Sequence, residues 1–150
     1  MAADEPGARR RWMSVLAQAR REDLEAAWAA LPERAAYRLV RPPEIGLVMV
    51  RGRAGGGGSR FNLGELTVSR CTVELTSGRV GHAWVGGRNP RHAELAAAFD
   101  ALLQEPASRP ALEVRLIAPL EAAQRERRAA AQARSAGTRV EFFTLVRGDD

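Results

Sequence analysis

What this sequence lacks narrows its chemistry more than what it contains. One cysteine and two histidines are present. A disulfide within the chain is therefore impossible, and a structural zinc site with several Cys or His ligands is excluded in practice. An iron–sulfur cluster takes about four thiolates, and Cys71 stands alone. Radical or metal chemistry, if the protein serves any, belongs on another chain. Lysine is absent as well, because all 23 basic residues are arginine. Arginine stays charged above roughly pH 12, so a net charge of only +5 suffices to push the pI to about 11.0. Aromatic residues make up 5%, and the 18 acidic residues are interspersed among the arginines. That composition argues against a nucleic-acid-binding face, although an arginine-rich nucleic-acid module stays open as the alternative reading. No apolar run approaches the ~20 residues that cross a bilayer. The opening "MAADEPGARRRW" lacks the apolar core of a secretory signal, so a cytoplasmic location is expected.

What is present fits one soluble domain. The 150 residues are 45% hydrophobic and 27% charged, enough for a single core over residues 1–150. Residues 1–8 read as a disordered polar tail. Trp12, Val15, Leu16 and Ala19, then Leu24, Ala27, Trp28 and Leu31, repeat a helical spacing. The two runs are joined by "RREDLE" and ended by Pro32, which predicts a helical hairpin with both tryptophans turned inward. From Tyr37 the period becomes that of strands. "YRLVR" stops at Pro42–Pro43, and "GLVMVRGR", "ELTVSRCTVEL" and "VGHAWV" follow, predicting an antiparallel meander of about four strands. A phase slip between Leu66/Val68 and Cys71/Val73/Leu75 predicts a β-bulge near Ser69–Arg70. Asn89 and Pro90 mark the start of a third helix. "ALEVRLI" alternates like a strand or extended arm, and a last, alanine-faced helix runs from about Pro119 to Gly137. "RVEFFTLVRGDD" then reads as a C-terminal strand. The class is α+β, with helices packed on the sheet.

The conspicuous stretch is "RGRAGGGGSRFNLGE", Arg51 to Glu65. It lacks the lysine and hydroxyl order of a P-loop. It also lies between two strands, without the following helix of a dinucleotide-binding turn. Two readings remain open: a mobile hairpin end, or an anion nest of free backbone N–H groups at Gly56 and Gly57 flanked by Arg53 and Arg60. A second anion candidate is Arg88 with Arg91 and His92, where a helix N-terminus and cationic groups favour the same charge. His82 shares a face with Trp84, which predicts a packed, hydrogen-bonded histidine, and Cys71 reads as a small buried hydrophobe. Ser14, Ser59 and Ser69 have no neighbouring base, and Glu65, Glu74, Glu94 and Asp100 are too scattered to demand a metal. Trp12, Trp28, Phe142 and Phe143 are candidates for packing against a partner, the last two because adjacent aromatics on a strand point to opposite faces.

Five separated segments, in order, carry a family likeness: "RRWMSVLA", "EIGLVMVRGRAGGGGSRFNLGELTVSRC", "GHAWVGGRNPRHAE", "LIAPLEAAQRERRAAA" and "RVEFFTLVRGD". Together, over Arg10 to Asp150, they resemble the PhnG family of the bacterial carbon–phosphorus lyase core complex. The resemblance implies a subunit of a phosphonate ribosyl triphosphate synthase, a transferase inactive as a single chain. With PhnH, PhnI and PhnL, such a subunit supports displacement of adenine from MgATP by a phosphonate such as methylphosphonate. It implies tight association with PhnI, on which the main chemistry is expected. PhnJ and PhnK are implied as further members of the complex, PhnJ being the radical enzyme. MgATP enters as a substrate of the complex, with no cofactor expected on this chain alone and no metal site. The resemblance carries over no catalytic residue.

Overall fold

The computed structural model describes residues 5–32 and 35–136. Helix α1 (Glu5–Ala17) begins inside the stretch expected to be a disordered tail, so residues 5–8 are helical. Its inner face buries Trp12, Val15 and Leu16, and α2 (Arg21–Ala29) buries Leu24. Arg20 closes the junction by donating from Nε and Nη2 to the Asp23 carboxylate at 3.0 and 2.8 Å. Those bonds hold the Asp23 carboxyl below its ordinary range. Trp28 is half-buried and meets Tyr37 and Phe99 edge-on, with ring centroids 5.6 and 5.4 Å away.

Among the described residues the sheet has three strands rather than the expected four, in the order β1 (Tyr37–Arg53), β2 (Arg60–Leu75), β3 (Val80–Gly86), all antiparallel. The two segments on either side of Pro42–Pro43 are one strand. Proline lacks a ladder donor, but β1 is an edge strand and need not donate outward. Register shifts at Leu39/Arg41 and Arg41/Glu44 absorb the irregular residues. The bulge expected at Ser69–Arg70 is therefore on the neighbouring strand: β2 pairs with β3 without a shift from Val68↔Gly86 to Glu74↔Val80. The phase slip in β2 has another cause. Ser69, Cys71, Val73 and Leu75 face the helices, Val68 on the other parity is buried as well, and Leu66 lies where β2 has run past the body and is exposed.

Helix α3 (Pro90–Leu103) lies across the inner sheet face and supplies much of the core, including Leu95, Phe99 and Leu103. Asn89 caps it by accepting from the His92 N–H at 3.4 Å. Contact between α3 and β3 is so close that a Cβ at Gly81 would stand 2.0 Å from the Ala97 carbonyl oxygen. At the centre is Asp100, fully buried. Its carboxylate accepts from Arg9 Nη2 at 2.7 Å, Trp12 Nε1 at 2.8 Å and the His82 N–H at 2.9 Å. One side chain thus ties α1, β3 and α3 together.

"ALEVRLI" is helical, not extended. Helix α4 (Arg109–Leu112) passes through a π-turn (Glu113–Ile117) into α5 (Ala118–Ala136). The burial of Leu112, Leu116, Ile117 and Leu120 follows a helical period, while Val114 stays exposed. Short apolar alternation cannot distinguish the two, and the extra π residue disguises the helical phase. The expected C-terminal strand, with Phe142 and Phe143, lies outside the described residues. Among the described residues no helix is long and apolar enough to cross a membrane.

Candidate functional site: an arginine-tipped hairpin

β3 ends at Gly86, opposite Val68, but β1 and β2 continue without it. Beyond that point they form a two-stranded ribbon from Gly46↔Val68 to Arg53↔Arg60, with no described element packed on either face. Its apolar side chains stand in the open: Leu47 is 62% exposed, Met49 54% and Leu63 65%, with Phe61 and Leu66 also exposed. Such a ribbon is marginal on its own in water, and a cluster of exposed large apolar residues marks a contact surface.

The ribbon closes in a 3₁₀ turn, Ala54–Gly56. Two of the four glycines are locally required. Gly55 sits at φ 56°, in the left-handed region. The Gly58 N–H donates to the Ala54 carbonyl at 2.8 Å, and a Cβ there would lie 2.6 Å from that oxygen. Gly57 faces open space. Arg53 stands directly across from Arg60, and with Arg51 and Gly52 they line an open hollow of about 370 Å³. Arg53 donates from Nη1 to the Gly58 carbonyl at 3.3 Å. Arg51 and Arg60 form no ion pair with any described residue. Like charges directly opposed across a ladder are unfavourable alone. The tip is therefore suited to an anion or an acidic partner.

The structure thus brings Arg53 and Arg60 together beside Gly56 and Gly57, but it does not gather the second cluster. Arg88 is exposed on the β3–α3 loop, and Arg91 pairs with Glu94 at 3.1 Å. His92 is buried, with Nε2 donating to the Leu16 carbonyl at 2.8 Å, so it is a core contact between α1 and α3. Trp12, too, is inside this chain's own core rather than on a surface a partner reaches.

Sequence reasoning missed the outer sheet face. His82 does share a face with Trp84, and its Nδ1 meets Thr72 Oγ1 at 3.1 Å, but that face is exposed. The Arg70 guanidinium lies 5.3 Å from the Trp84 ring centroid and pairs with Glu44 at 2.8 Å. Only the Arg, His and Trp alternation on neighbouring strands signalled it. Burial pushes the Cys71 thiol up to about 11, and burial with the Glu94 hydrogen bond pushes the Tyr37 phenol up to about 12. Both are held neutral, opposite to an activated nucleophile or acid. Among the described residues no group of three or more His, Cys, Asp or Glu is placed to hold a metal.

An α+β domain with a closed core, an unpartnered apolar arm and arginines at its tip has the character of a component of a larger assembly. The comparisons agree. Residues 7–148 match the family described as phosphonate metabolism protein PhnG. A relative from Rhizobium meliloti (strain 1021), alpha-D-ribose 1-methylphosphonate 5-triphosphate synthase subunit PhnG, is 49% identical over 145 residues. That match covers 95% of this chain and 90% of the relative. The chain belongs to the PhnG family.

Proposed function

We propose that the chain serves as the PhnG subunit of an alpha-D-ribose 1-methylphosphonate 5-triphosphate synthase, and that the β1–β2 ribbon is what it brings to that complex. The synthase exchanges adenine for a phosphonate. A phosphonate oxygen bonds to the ribose C1′ of MgATP, the C1′–N9 bond breaks, and adenine leaves with its electron pair and a proton. Among the described residues no acid–base pair is placed for that step. The chain's part is to dock on a partner, PhnI foremost, with PhnH and PhnL completing the synthase, and to bring Arg53 and Arg60 near the triphosphate or phosphonate.

The observation that supports this reading is the ribbon: exposed Leu47, Met49 and Leu63 leading to opposed, unneutralised arginines. A triphosphate or phosphonate is the kind of anion two adjacent guanidinium groups bind well. The test is the double variant Arg53→Ala/Arg60→Ala, reconstituted with the other synthase subunits and methylphosphonate plus MgATP. The complex forms and adenine release falls by about tenfold or more. Assembly with undiminished release would remove the arginines from the site. Adenine release by the partner subunits without this chain would remove its role as a required subunit.

A further inference from the structure

The outer edge of β3 is half closed and half open. The Gly87 N–H bonds to the Thr67 carbonyl at 2.8 Å and the Leu75 N–H to the Arg79 carbonyl at 2.9 Å. These bonds fix which residues of β3 exchange ladder bonds with β2: Gly81, Ala83 and Val85. Val80, His82, Trp84 and Gly86 must then turn their N–H and C=O groups away from the sheet. In the first half these groups are satisfied from within the body. The Val80 carbonyl accepts from Gln104 Nε2 at 2.8 Å, and the His82 N–H donates to Asp100 at 2.9 Å. In the second half, the His82 carbonyl and both backbone groups of Trp84 face outward with no described element alongside to meet them.

Beside this open half runs a groove of about 240 Å³ between α1 and β3. Met13, Leu16, Ala17, Ala83 and Ala96 line it, with Trp84 at its rim. An apolar groove along a free strand edge is the arrangement that accepts an added strand. Backbone groups supply the bonds, and alternate side chains fill the groove.

We propose that the chain's own C-terminal stretch, residues 139–147, adds to β3 as a fourth strand and covers Trp84 and this groove. Three observations favour that occupant. "RVEFFTLVR" carries strand alternation that no partner in the described sheet absorbs. Its adjacent Phe142 and Phe143 point to opposite faces of a strand. In the proposed strand one would fill the groove and the other would lie on the outer face beside the Trp84 ring. Reach is the third. Helix α5 is tied to the body where Gln124 Nε2 donates to the Val15 carbonyl at 2.7 Å, and Val15 adjoins the groove residue Leu16. From Gln124 to Ala136 the helix rises about 18 Å. From Ala136 to Phe143 an extended chain covers about 23 Å. A return along α5 therefore brings the two phenylalanines level with the groove. This inference stands apart from the role of the ribbon and survives its failure.

The test is amide hydrogen exchange on the full chain and on full-length Phe143→Pro, which blocks a strand interior without touching the body. In the parent the Trp84 amide is protected, and in the variant it exchanges about tenfold or more faster, while α3 amides are unchanged. Equal Trp84 exchange in both chains overturns the proposal. Protection that survives a large dilution supports the chain's own strand. Protection lost on dilution assigns the edge to a second copy, and protection seen only after partner subunits are added assigns it to them; either result overturns it.

Discussion

The body and the ribbon are made from the same two strands and obey opposite rules. From Val68 to Leu75, β2 lies on a sheet whose inner face is covered by α3, with Ser69, Cys71, Val73 and Leu75 buried, and Asp100 of α3 gathers the donors of Arg9, Trp12 and the His82 N–H. From Arg60 to Leu66, the same strand carries Phe61, Leu63 and Leu66 in solvent and begins at Arg60, opposed to Arg53 of β1. In the first region residues are explained by what they touch within the chain. In the second, no described residue of the chain covers them. On the proposed role of the ribbon, stability and assembly are separated along one strand, and substitutions in the two regions have different consequences.

The sharpest contrast comes from the knot in the body. Asp100→Ala strands the Arg9 guanidinium, the Trp12 indole N–H and the His82 N–H. Removing one partner of a buried charged pair costs about 3–5 kcal/mol, so thermal or urea unfolding shows a large loss whatever partner is present. Gly81→Ala comes next. Its new Cβ meets the Ala97 carbonyl and the backbone of Ala101, and overpacking of that kind costs about 1–3 kcal/mol. The denaturant midpoint falls while the slope stays the same. On the ribbon, Leu47→Ser with Met49→Ser changes the unfolding free energy of the isolated chain by within about 0.5 kcal/mol, but it weakens co-purification with the partner subunits. Equal losses of stability in body and ribbon variants would break the comparison.

The smallest effect is one of pH. Tyr37 donates to Glu94 Oε1 at 2.6 Å, and its phenol is raised from 10.0 to about 12. The neutral form is therefore favoured in the folded state. Its contribution is complete below pH 10.0 and is lost as the pH rises toward about 12. Tyr37→Phe removes that slope, which a series of unfolding curves across the window measures.

Much of the body was legible in the sequence because it follows periodic rules. The spacing of Trp12 and Leu16, the Asn89–Pro90 helix start and the alternation of Cys71, Val73 and Leu75 each announced their element. Where legibility failed, a tertiary condition decided. Pro42–Pro43 read as a strand end, yet an edge strand tolerates them. "ALEVRLI" read as extended, yet Leu112, Leu116 and Ile117 are drawn into the core from a π-shifted helix. At the candidate site the sequence named Arg53 and Arg60 but left Arg51 out, because cross-strand register, not spacing, puts the three around one hollow. His92 misled for the reverse reason. Its position at a helix start suggested an anion site, and only the packing of α1 shows that it serves the Leu16 carbonyl.

The central claim is that the ribbon is dispensable for the fold and indispensable for assembly. It is tested most directly by replacing residues 47–66 with a short turn that joins the strands near Gly46 and Thr67. The unfolding temperature and the co-purification with the other synthase subunits are then measured on that one protein. The account predicts a cooperative transition within about 5 °C of the parent, together with loss of the complex. A shortened chain that still assembles a full complex would contradict it.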